Sequence, residues 1–250
     1  MRANNLRLLG PSLHWNQFDS YLHPAGSYFG SKVGARLEHV VYNYHSKEIW
    51  LVNRSRDRSG ARTVDVDAIG LDGSEISTKT YDVDTAANSA KLVGEMEGLD
   101  NTEGVVFLRL ILRNGDGDVL SRNVYWIAPS VDELDWENST WYHTPVTSFS
   151  DYTSLFGMEP ASVATTSSPK EGQKGTFTVT LENEATVPAF FVRLNLVDGD
   201  GNDVNPVTWS DNYITLWPGE TLELTVNGWD GTGKTVLVDG VNVEASEVAL

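Results

Sequence analysis

The chain has 250 residues, of which 40% are hydrophobic, and its 35 acidic side chains against 18 basic ones give a formal charge of −17. This composition predicts a globular chain with one large or two medium cores, while its acidity argues against nucleic-acid or anionic-membrane partners and permits a polycationic one. No apolar run approaches the roughly 18 residues of a transmembrane helix, and the lack of cysteine excludes disulfides, zinc–thiolate sites and cysteine nucleophiles.

The chain begins with MRANNLRLLG, which contains two arginines but no apolar stretch of signal-peptide length. Residues 11–36 then predict two short helices. Large apolar side chains recur at intervals of three and four, first at Trp15, Phe18, Tyr21 and Leu22 and, after Pro24, at Tyr28, Phe29 and Val33 with Lys32. Two short helices cannot bury each other's rings, so we expect them to dock on protein that precedes them or on the flank of the following sandwich.

From residue 37 onward the sequence predicts β-strands. Val64, Val66 and Ala68 alternate with acidic residues, as on a strand with one buried face. A repeat sets the architecture, because FLRLILRNGDGDV from Phe107 returns as FVRLNLVDGDGNDV from Phe191, and each copy predicts a strand, a turn and a return strand. With the strands around each copy, this predicts an all-β chain of two tandem immunoglobulin-like β-sandwiches.

The connection between the two sandwiches, residues 129–158, is too aromatic for a flexible linker. It contains Trp136, Trp141, Tyr142, Phe149, Tyr152 and Phe156. We expect this connector to lie pinned against a neighbour, with stacking on sugars as the alternative role for its rings.

Two motifs suggest ligands, but their context favours turns. Residues 228–235, GWDGTGKT, match the spacing of a phosphate-binding loop, yet a strand is predicted after Thr235 where such a loop needs a helix. Asp198, Asp200 and Asn202 have the first spacings of a calcium loop, but Asp203 stands where glycine is required. The five histidines show no metal-binding spacing, so neither a metal nor a cofactor is expected.

The aromatic segments carry a family resemblance. Residues 11–15, PSLHW, followed by Phe18-Asp19, Tyr21-Leu22, Tyr28-Phe29-Gly30 and Lys32, resemble the closing segment of the catalytic barrel in glycoside hydrolase family 2, in the exo-β-D-glucosaminidase (exochitosanase) branch. The resemblance continues through NVYWIAPSVDELDWENSTWYHTPVTSFSDYTSL and TWSDNYITLWPGE. It covers nearly the whole chain except the first ten residues, where Gly10 replaces the family's tryptophan before the proline.

The resemblance implies the C-terminal portion of such an enzyme. Residues 1–36 would be a short helical remnant of the (β/α)₈ barrel, 37–128 the first sandwich, 129–158 the connector and 159–250 the second sandwich. A barrel alone needs about 250 residues, and nothing in this sequence matches the family's catalytic carboxylates, so the isolated chain is predicted to be inactive. Ser12, His14 and Trp15 are the candidates for the rim of the pocket, with plain packing as the alternative.

The same resemblance implies release of glucosamine from chitosan by a retaining mechanism. The partners would be the missing barrel of the same polypeptide and a chitosan-type polysaccharide. The full-length enzyme would be extracellular, and the sequons at Asn53 and Asn138 would fit secretion. A family 2 β-mannosidase fragment remains an alternative, as does a stand-alone carbohydrate-binding or structural module that uses exposed rings such as Trp136 or Trp229.

Overall fold

The computed structural model describes residues 17–96, 98–99, 102–227 and 234–250. The chain divides into two compact units. One unit runs from Val33 to Met158, and the other joins the described residues up to Lys32 with Glu159–Leu250. None of the described helices is long and apolar enough to cross a membrane.

The first unit is a sandwich of seven strands followed by the connector. Its strands are β1 Glu38–Tyr42, β2 Glu48–Asn53, β3 Gly60–Gly70, β4 Glu75–Thr85, β5 Ser89–Glu95, β6 Val106–Arg113 and β7 Val119–Ile127. They form a three-stranded sheet in the order β1-β2-β5 and a four-stranded sheet in the order β4-β3-β6-β7. The connector adds the short strands β8 Glu133–Leu134 and β9 Val146–Ser148 and a 3₁₀ helix, Thr153–Gly157.

The alternating pattern of the sequence produces the core of this first sandwich. Val64, Val66 and Ala68 on β3 are fully buried and pack with Leu108 and Leu110 of β6 against the facing sheet. The first copy of the repeat is the antiparallel hairpin β6–β7, as predicted. An apolar face on each of two sheets, closed over one core, is the physical basis of the sandwich.

The second unit includes helix α1, Gly26–Gly34, as far as Lys32, and a sandwich of eight strands. These are β10 Val163–Pro169, β11 Thr176–Asn183, β12 Ala189–Val197, β13 Thr208–Trp209, β14 Ile214–Leu216, β15 Thr221–Asn227, β16 Thr235–Asp239 and β17 Ser246–Ala249. The sheet orders are β10-β11-β15-β13 and β14-β12-β16-β17. Two packed sheets in each unit confirm the predicted all-β fold with two sandwiches.

The second copy of the repeat departs from the predicted hairpin. After β12 the chain turns at residues 198–202, but the return is limited to a single bridge between Val197 and Asp203. Pro206 follows, and proline has no N–H with which to continue a ladder. The chain instead crosses to the other sheet, where β13 buries Trp209.

The segment of residues 17–32, here called the N-terminal strap, packs on the second sandwich. Phe29 of α1 is only 2% exposed and belongs to the core of that sandwich. For Tyr28 and Phe29, docking on the flank of the following sandwich was therefore the wrong one of the two expectations. The helix predicted from Tyr28 to Val33 is confirmed by α1.

The other predicted helix is absent over the described residues 17–22, which form a tight turn. The Asp19 carboxylate accepts hydrogen bonds from the backbone N–H groups of Tyr21 and His23, and Leu22 has a positive φ of 72°. A short acidic side chain that captures nearby N–H groups competes with helix formation, and Pro24 is unfavourable in a helix interior. Local side-chain bonding thus overrides the apolar spacing.

Candidate functional site

The connector presents large apolar side chains to solvent. The exposed fractions are 71% for Trp136, 93% for Trp141, 74% for Tyr142, 73% for Phe149 and 81% for Phe156. Residues 131–149 are here called the aromatic arm. No part of the described chain buries these five rings, so for them the expectation that the connector lies pinned against a neighbour stays a prediction.

Hydrogen bonds within the aromatic arm fix its backbone. Strands β8 and β9 pair antiparallel, and the N–H of Asp135 donates to the carbonyl of Pro145 at 2.9 Å. The Asn138 amide donates to the Asp135 carboxylate at 2.6 Å, and its backbone N–H donates to the same carboxylate at 3.1 Å. These two bonds hold the pKa of Asp135 below its ordinary value. The arm is therefore a shaped loop with its own internal bonding.

The end of the connector is attached to the first sandwich. Leu155 of the 3₁₀ helix is buried, and Ser154 lines a shallow cavity with Gly70 and Val106. Burial raises the pKa of Tyr44 on this sandwich, with a further contribution from the nearby phenol of Tyr152. The end of the connector is thus packed in place, whereas the rings of the aromatic arm are exposed.

A second concave feature lies on the second sandwich, where it meets the N-terminal strap. It is a cleft of about 330 Å³ lined mainly by polar groups. His23 stands between two carboxylates, with Nδ1 at 2.8 Å from Asp19 Oδ2 and Nε2 at 3.1 Å from Asp203 Oδ2. Arg193 pairs with the Asp239 carboxylate at 2.6 Å.

The charged groups of this cleft are engaged with one another. Burial of the Asp19 carboxyl opposes its ionisation, but hydrogen bonds from the His23 ring and backbone and from the N–H of Tyr21 outweigh that effect and hold its pKa below the ordinary value. Glycoside hydrolysis needs two carboxyl groups that flank one bond. Here the Asp19 and Asp203 carboxylates are bridged by an imidazole, so the arrangement fastens the strap instead of presenting a catalytic pair.

Only some of the candidate site residues predicted from the sequence lie within the described residues. Ser12, His14 and Trp15 lie outside the described residues, as does Trp229, so their assignments stay predictions. Within the described part of the chain, no cluster of three or more His, Asp or Glu side chains could hold a metal ion. The Asp198 carboxylate accepts from the backbone N–H groups of Asp200 and Asn202, which gives this motif a structural role in its turn.

The two sequons differ sharply in accessibility. Asn53 is 1% exposed, and its amide nitrogen donates to the carbonyls of Arg58 and Ala86 at 2.9 and 3.0 Å. A glycan at Asn53 would require those bonds to open, so the geometry argues against that nomination in the folded chain. Asn138 is an exposed residue of the aromatic arm, and glycosylation there stays a prediction.

Residues 228–233 of the loop with phosphate-loop spacing lie outside the described residues. The element after this loop is the strand β16 from Thr235, not a helix. The strand predicted after Thr235 is therefore confirmed. A phosphate-binding loop relies on the N-terminus of a helix directly after it, which this topology does not supply.

Fold and sites together define a tandem immunoglobulin-like region with an exposed aromatic arm. Comparison with protein families gives it a more specific place. Residues 45–130 match the mannosidase Ig/CBM-like domain, and residues 141–243 match the exo-β-D-glucosaminidase Ig-fold domain.

Whole-chain comparisons agree with these matches. The chain is 53% identical over 246 residues to an exo-β-D-glucosaminidase of Hypocrea jecorina, an alignment that covers 96% of this chain and 28% of the relative. It is 33% identical over 255 residues to one from Amycolatopsis orientalis, covering 92% of this chain and 24% of that relative. The chain thus spans only 24% to 28% of the length of these two curated relatives.

Solved structures show the same relationship. The exo-chitosanase of Amycolatopsis orientalis superimposes with a TM-score of 0.90 at 31% identity, covering 98% of this chain and 30% of that one. A β-D-mannosidase from Dictyoglomus thermophilum, at 17% identity and a TM-score of 0.67, shares the fold. The chain therefore corresponds to the C-terminal immunoglobulin-like region of the family 2 exo-β-D-glucosaminidases and not to their catalytic domain. The resemblance noted in the sequence is confirmed.

The contact between the strap and the second sandwich has no signal in the sequence. The strap precedes the first sandwich in the chain, and its docking site lies more than 150 residues later, at Phe191, Trp209 and Tyr213. The spacing of Phe29 and Lys32 indicated a helix face but carried no information about which surface covers it. The alternating pattern of β12 was visible, but the positive φ of Phe191, which places its ring against Gly26, was not.

Proposed function

We propose that this chain is the C-terminal accessory region of a secreted exo-β-D-glucosaminidase-like glycoside hydrolase that acts on chitosan or chitooligosaccharides. The observation that carries the proposal is the 53% identity over 246 residues to the Hypocrea jecorina exo-β-D-glucosaminidase. A solved complex of the Amycolatopsis orientalis exo-chitosanase contains PNP-β-D-glucosamine, which indicates the class of substrate. The catalytic carboxylates belong to the barrel of the complete polypeptide.

The β-mannosidase alternative is supported by the mannosidase Ig/CBM-like match over residues 45–130. Both sandwiches, however, align with exo-β-D-glucosaminidases over 95% or more of the chain in the fungal relatives. We therefore favour glucosaminide over mannoside as the substrate class. The net charge of −17 fits attraction of a polyamine at long range, although acidity also serves solubility.

A chimeric enzyme tests the proposal. The matched region of the Hypocrea jecorina enzyme is replaced by this chain, and hydrolysis of PNP-β-D-glucosamine is compared with hydrolysis of the corresponding β-mannoside. We expect glucosaminidase activity from the chimera and none from the isolated chain. A folded chimera without activity on the glucosaminide would contradict the proposal, and the intact mass of the native polypeptide would show independently whether a barrel accompanies this region.

A stand-alone carbohydrate-binding module is the second candidate, because Trp141 is 93% exposed and exposed indole rings stack on sugars. Affinity electrophoresis of the isolated chain in gels containing chitosan or mannan separates the two candidates. Retardation in either gel would support the binding module. Equal mobility with and without polysaccharide would contradict the binding module, and the accessory-region proposal would remain.

A further inference from the structure

The His23 ring of the N-terminal strap lies between two carboxylates. Nδ1 is 2.8 Å from Asp19 Oδ2, and Nε2 is 3.1 Å from Asp203 Oδ2. Asp19 belongs to the strap itself, whereas Asp203 follows the turn after β12 on the second sandwich. The imidazole therefore connects the strap to the sandwich through its two ring nitrogens.

A neutral imidazole cannot satisfy both carboxylates. It carries a single N–H, so one of its two nitrogens presents a lone pair. When Nδ1 donates to Asp19, the lone pair of Nε2 faces the negative charge of Asp203. Nε2 is buried from water, and no described residue gives it an aligned hydrogen bond. A buried polar atom without a partner is unfavourable, and the opposite tautomer only transfers the conflict to Asp19.

A second proton on the ring removes this conflict. An imidazolium can donate from both nitrogens, and opposite charges at this distance attract each other. The Asp203 carboxylate is already oriented for the contact, because its Oδ1 accepts from Asn195 Nδ2 at 2.6 Å while its Oδ2 faces the ring. Burial opposes ionisation of Asp19, but hydrogen bonds from His23 outweigh that effect and hold the pKa of Asp19 below its ordinary value.

The other titratable groups near the ring do not compensate the two carboxylates. These groups are Tyr21 of the strap, Arg193 of β12, Tyr213 directly before β14 and Asp239 of β16. Arg193 donates twice to the Asp239 carboxylate, at 3.1 and 2.6 Å, so these two charges largely cancel. Tyrosine is neutral near pH 7, and burial raises the pKa of Tyr213 further. The negative charge of Asp19 and Asp203 is therefore left to the imidazole.

We propose that His23 is a proton-dependent latch, which binds a proton from solvent and then fastens residues 17–25 of the strap to the second sandwich. The protonated ring makes a contact that the neutral ring lacks, so the stabilisation is present at mildly acidic pH. It is lost as the pH rises through the range of about pH 5 to 8 in which imidazoles release their proton. The contact also fails at lower pH, where the carboxylates themselves become protonated.

The latch acts on one end of the strap only. Phe29, near the other end, is buried in the core of the second sandwich and carries no titratable group. We therefore expect residues 17–25 to loosen at alkaline pH while α1 stays docked. The latch concerns the attachment of the strap and is independent of the activity proposed above.

Hydrogen exchange of the 250-residue chain at pH 5.5 and pH 8.0, corrected for the pH dependence of chemical exchange, measures the latch. The backbone N–H groups of Tyr21, His23 and Ala25 are hydrogen-bonded within the turn of the strap. Their protection should fall about three- to tenfold between the two pH values, as expected for the loss of one partly exposed ion pair. Equal protection at both pH values would overturn the latch.

Two variants each remove one charge of the contact. In His23→Gln the protection of residues 17–25 should differ by less than about twofold between the two pH values. Asp203→Asn keeps the imidazole and its bond to Asp19, and it should reduce the pH dependence to the same level. The matched controls are His45→Gln, an exposed histidine of the first unit, and Asp200→Asn, an exposed acid of the turn before Asp203. Both controls should keep the pH dependence of the parent chain.

The two variants also distinguish the charge of the ring from its packing. If His23→Gln leaves residues 17–25 unprotected at both pH values, packing has been lost as well, and Asp203→Asn decides. A pH dependence like that of the parent chain in Asp203→Asn would overturn the latch, and so would one in His23→Gln. Protection of β12 and β14 should differ by less than about twofold between the two pH values. A parallel loss of protection there would show that the whole unit responds to pH, which would overturn a latch at His23.

Discussion

Two aromatic segments of this chain differ in how far their rings are buried, although the sequence predicts for both that the rings pack against a neighbouring surface. The N-terminal strap delivers Phe29 into the core of the second sandwich, where it is 2% exposed. The aromatic arm leaves Trp141 93% exposed. Aromatic content thus shows that a segment requires a partner, and only the fold shows whether the chain itself supplies one.

The strap packs against a site on the second sandwich at Phe191, Trp209 and Tyr213, here called the seat. Part of the backbone of this site is strained. Phe191 and Tyr213 both have positive φ, at 55° and 53°, and their rings lie 5.1 Å apart beside Gly26. Such backbone conformations cost about 1–3 kcal/mol each and persist where surrounding packing enforces them. The Lys32 ammonium also donates to the carbonyl of Trp209 at 2.8 Å. The aromatic arm has no equivalent seat within the described residues.

The largest expected effect comes from removal of the ring that fills the seat. Phe29→Ala should destabilise the second unit by about 3–5 kcal/mol, because it removes a buried ring and leaves a cavity. Hydrogen exchange read peptide by peptide should show faster exchange in β12 and β14 than in the first sandwich. The matched control is Tyr21→Ala in the same strap, since Tyr21 is 66% exposed. Equal effects of the two variants would contradict the docking of the strap.

A smaller effect is expected from crowding the same seat. In Gly26→Val the new Cβ would lie 3.1 Å from Phe191 Cζ, and its methyl groups would press on a ring that the backbone already constrains. Overpacking of this kind costs about 1–3 kcal/mol. Gly30→Val in the same helix provides the control, because no atom lies within 4 Å of its added Cβ. Denaturant titrations in which Gly30→Val is the more destabilising change would show that the seat is not tight.

A pH-dependent effect is expected where the strap turns. The folded-state pKa of Asp19 lies below its ordinary value of 3.8, so its ionised carboxylate stabilises the fold above that pH and loses this contribution as the pH falls through the folded pKa. Asp19 is half exposed, so the contribution at neutral pH should be below about 1 kcal/mol. The groups that face it are His23, Asp203 and Arg193.

The variant Asp19→Asn measures this contribution. Its melting temperature should lie slightly below that of the parent at pH 7 and converge with it as the pH falls through the range of carboxylate titration. Asp72→Asn is the control, because the pKa of Asp72 is also lowered, through hydrogen bonds from Ser74 in a turn of the first sandwich. If the difference in melting temperature between Asp19→Asn and the parent persists at low pH, the loss of stability is steric and not electrostatic.

Much of the fold could be predicted from local pattern. The period-2 alternation at Val64, Val66 and Ala68 and the turn residues after Phe107 specified strands and a hairpin, because strand faces and tight turns are set by neighbouring residues. The prediction of a return strand in the second copy of the repeat was wrong. Pro206 ends the pairing there, and Trp209 is buried in the other sheet. Local pattern does not say which of two sheets offers a large ring more burial.

The candidate sites were less predictable for a related reason. The composition of the connector indicated an interface, but nothing in its spacing indicated that Trp141 would be exposed while Leu155 was buried. The sequon at Asn53 looked equivalent to the one at Asn138, yet the Asn53 side chain closes a loop through the carbonyls of Arg58 and Ala86. A tripeptide pattern contains no information on burial.

The smallest expected effect sharpens the comparison most. Trp141→Ser in the isolated chain should change the free energy of unfolding by less than about 0.5 kcal/mol, because this exposed ring loses little more than its edge-on contact with Tyr142. Trp217→Ser, which removes a buried indole in the second sandwich, should cost several kcal/mol on the same assay. Denaturant unfolding of both variants gives the comparison directly. A large loss of unfolding free energy in Trp141→Ser would mean that the arm stabilises the isolated chain. The contrast between a strap that packs on the second sandwich and an arm whose rings are uncovered would then no longer hold.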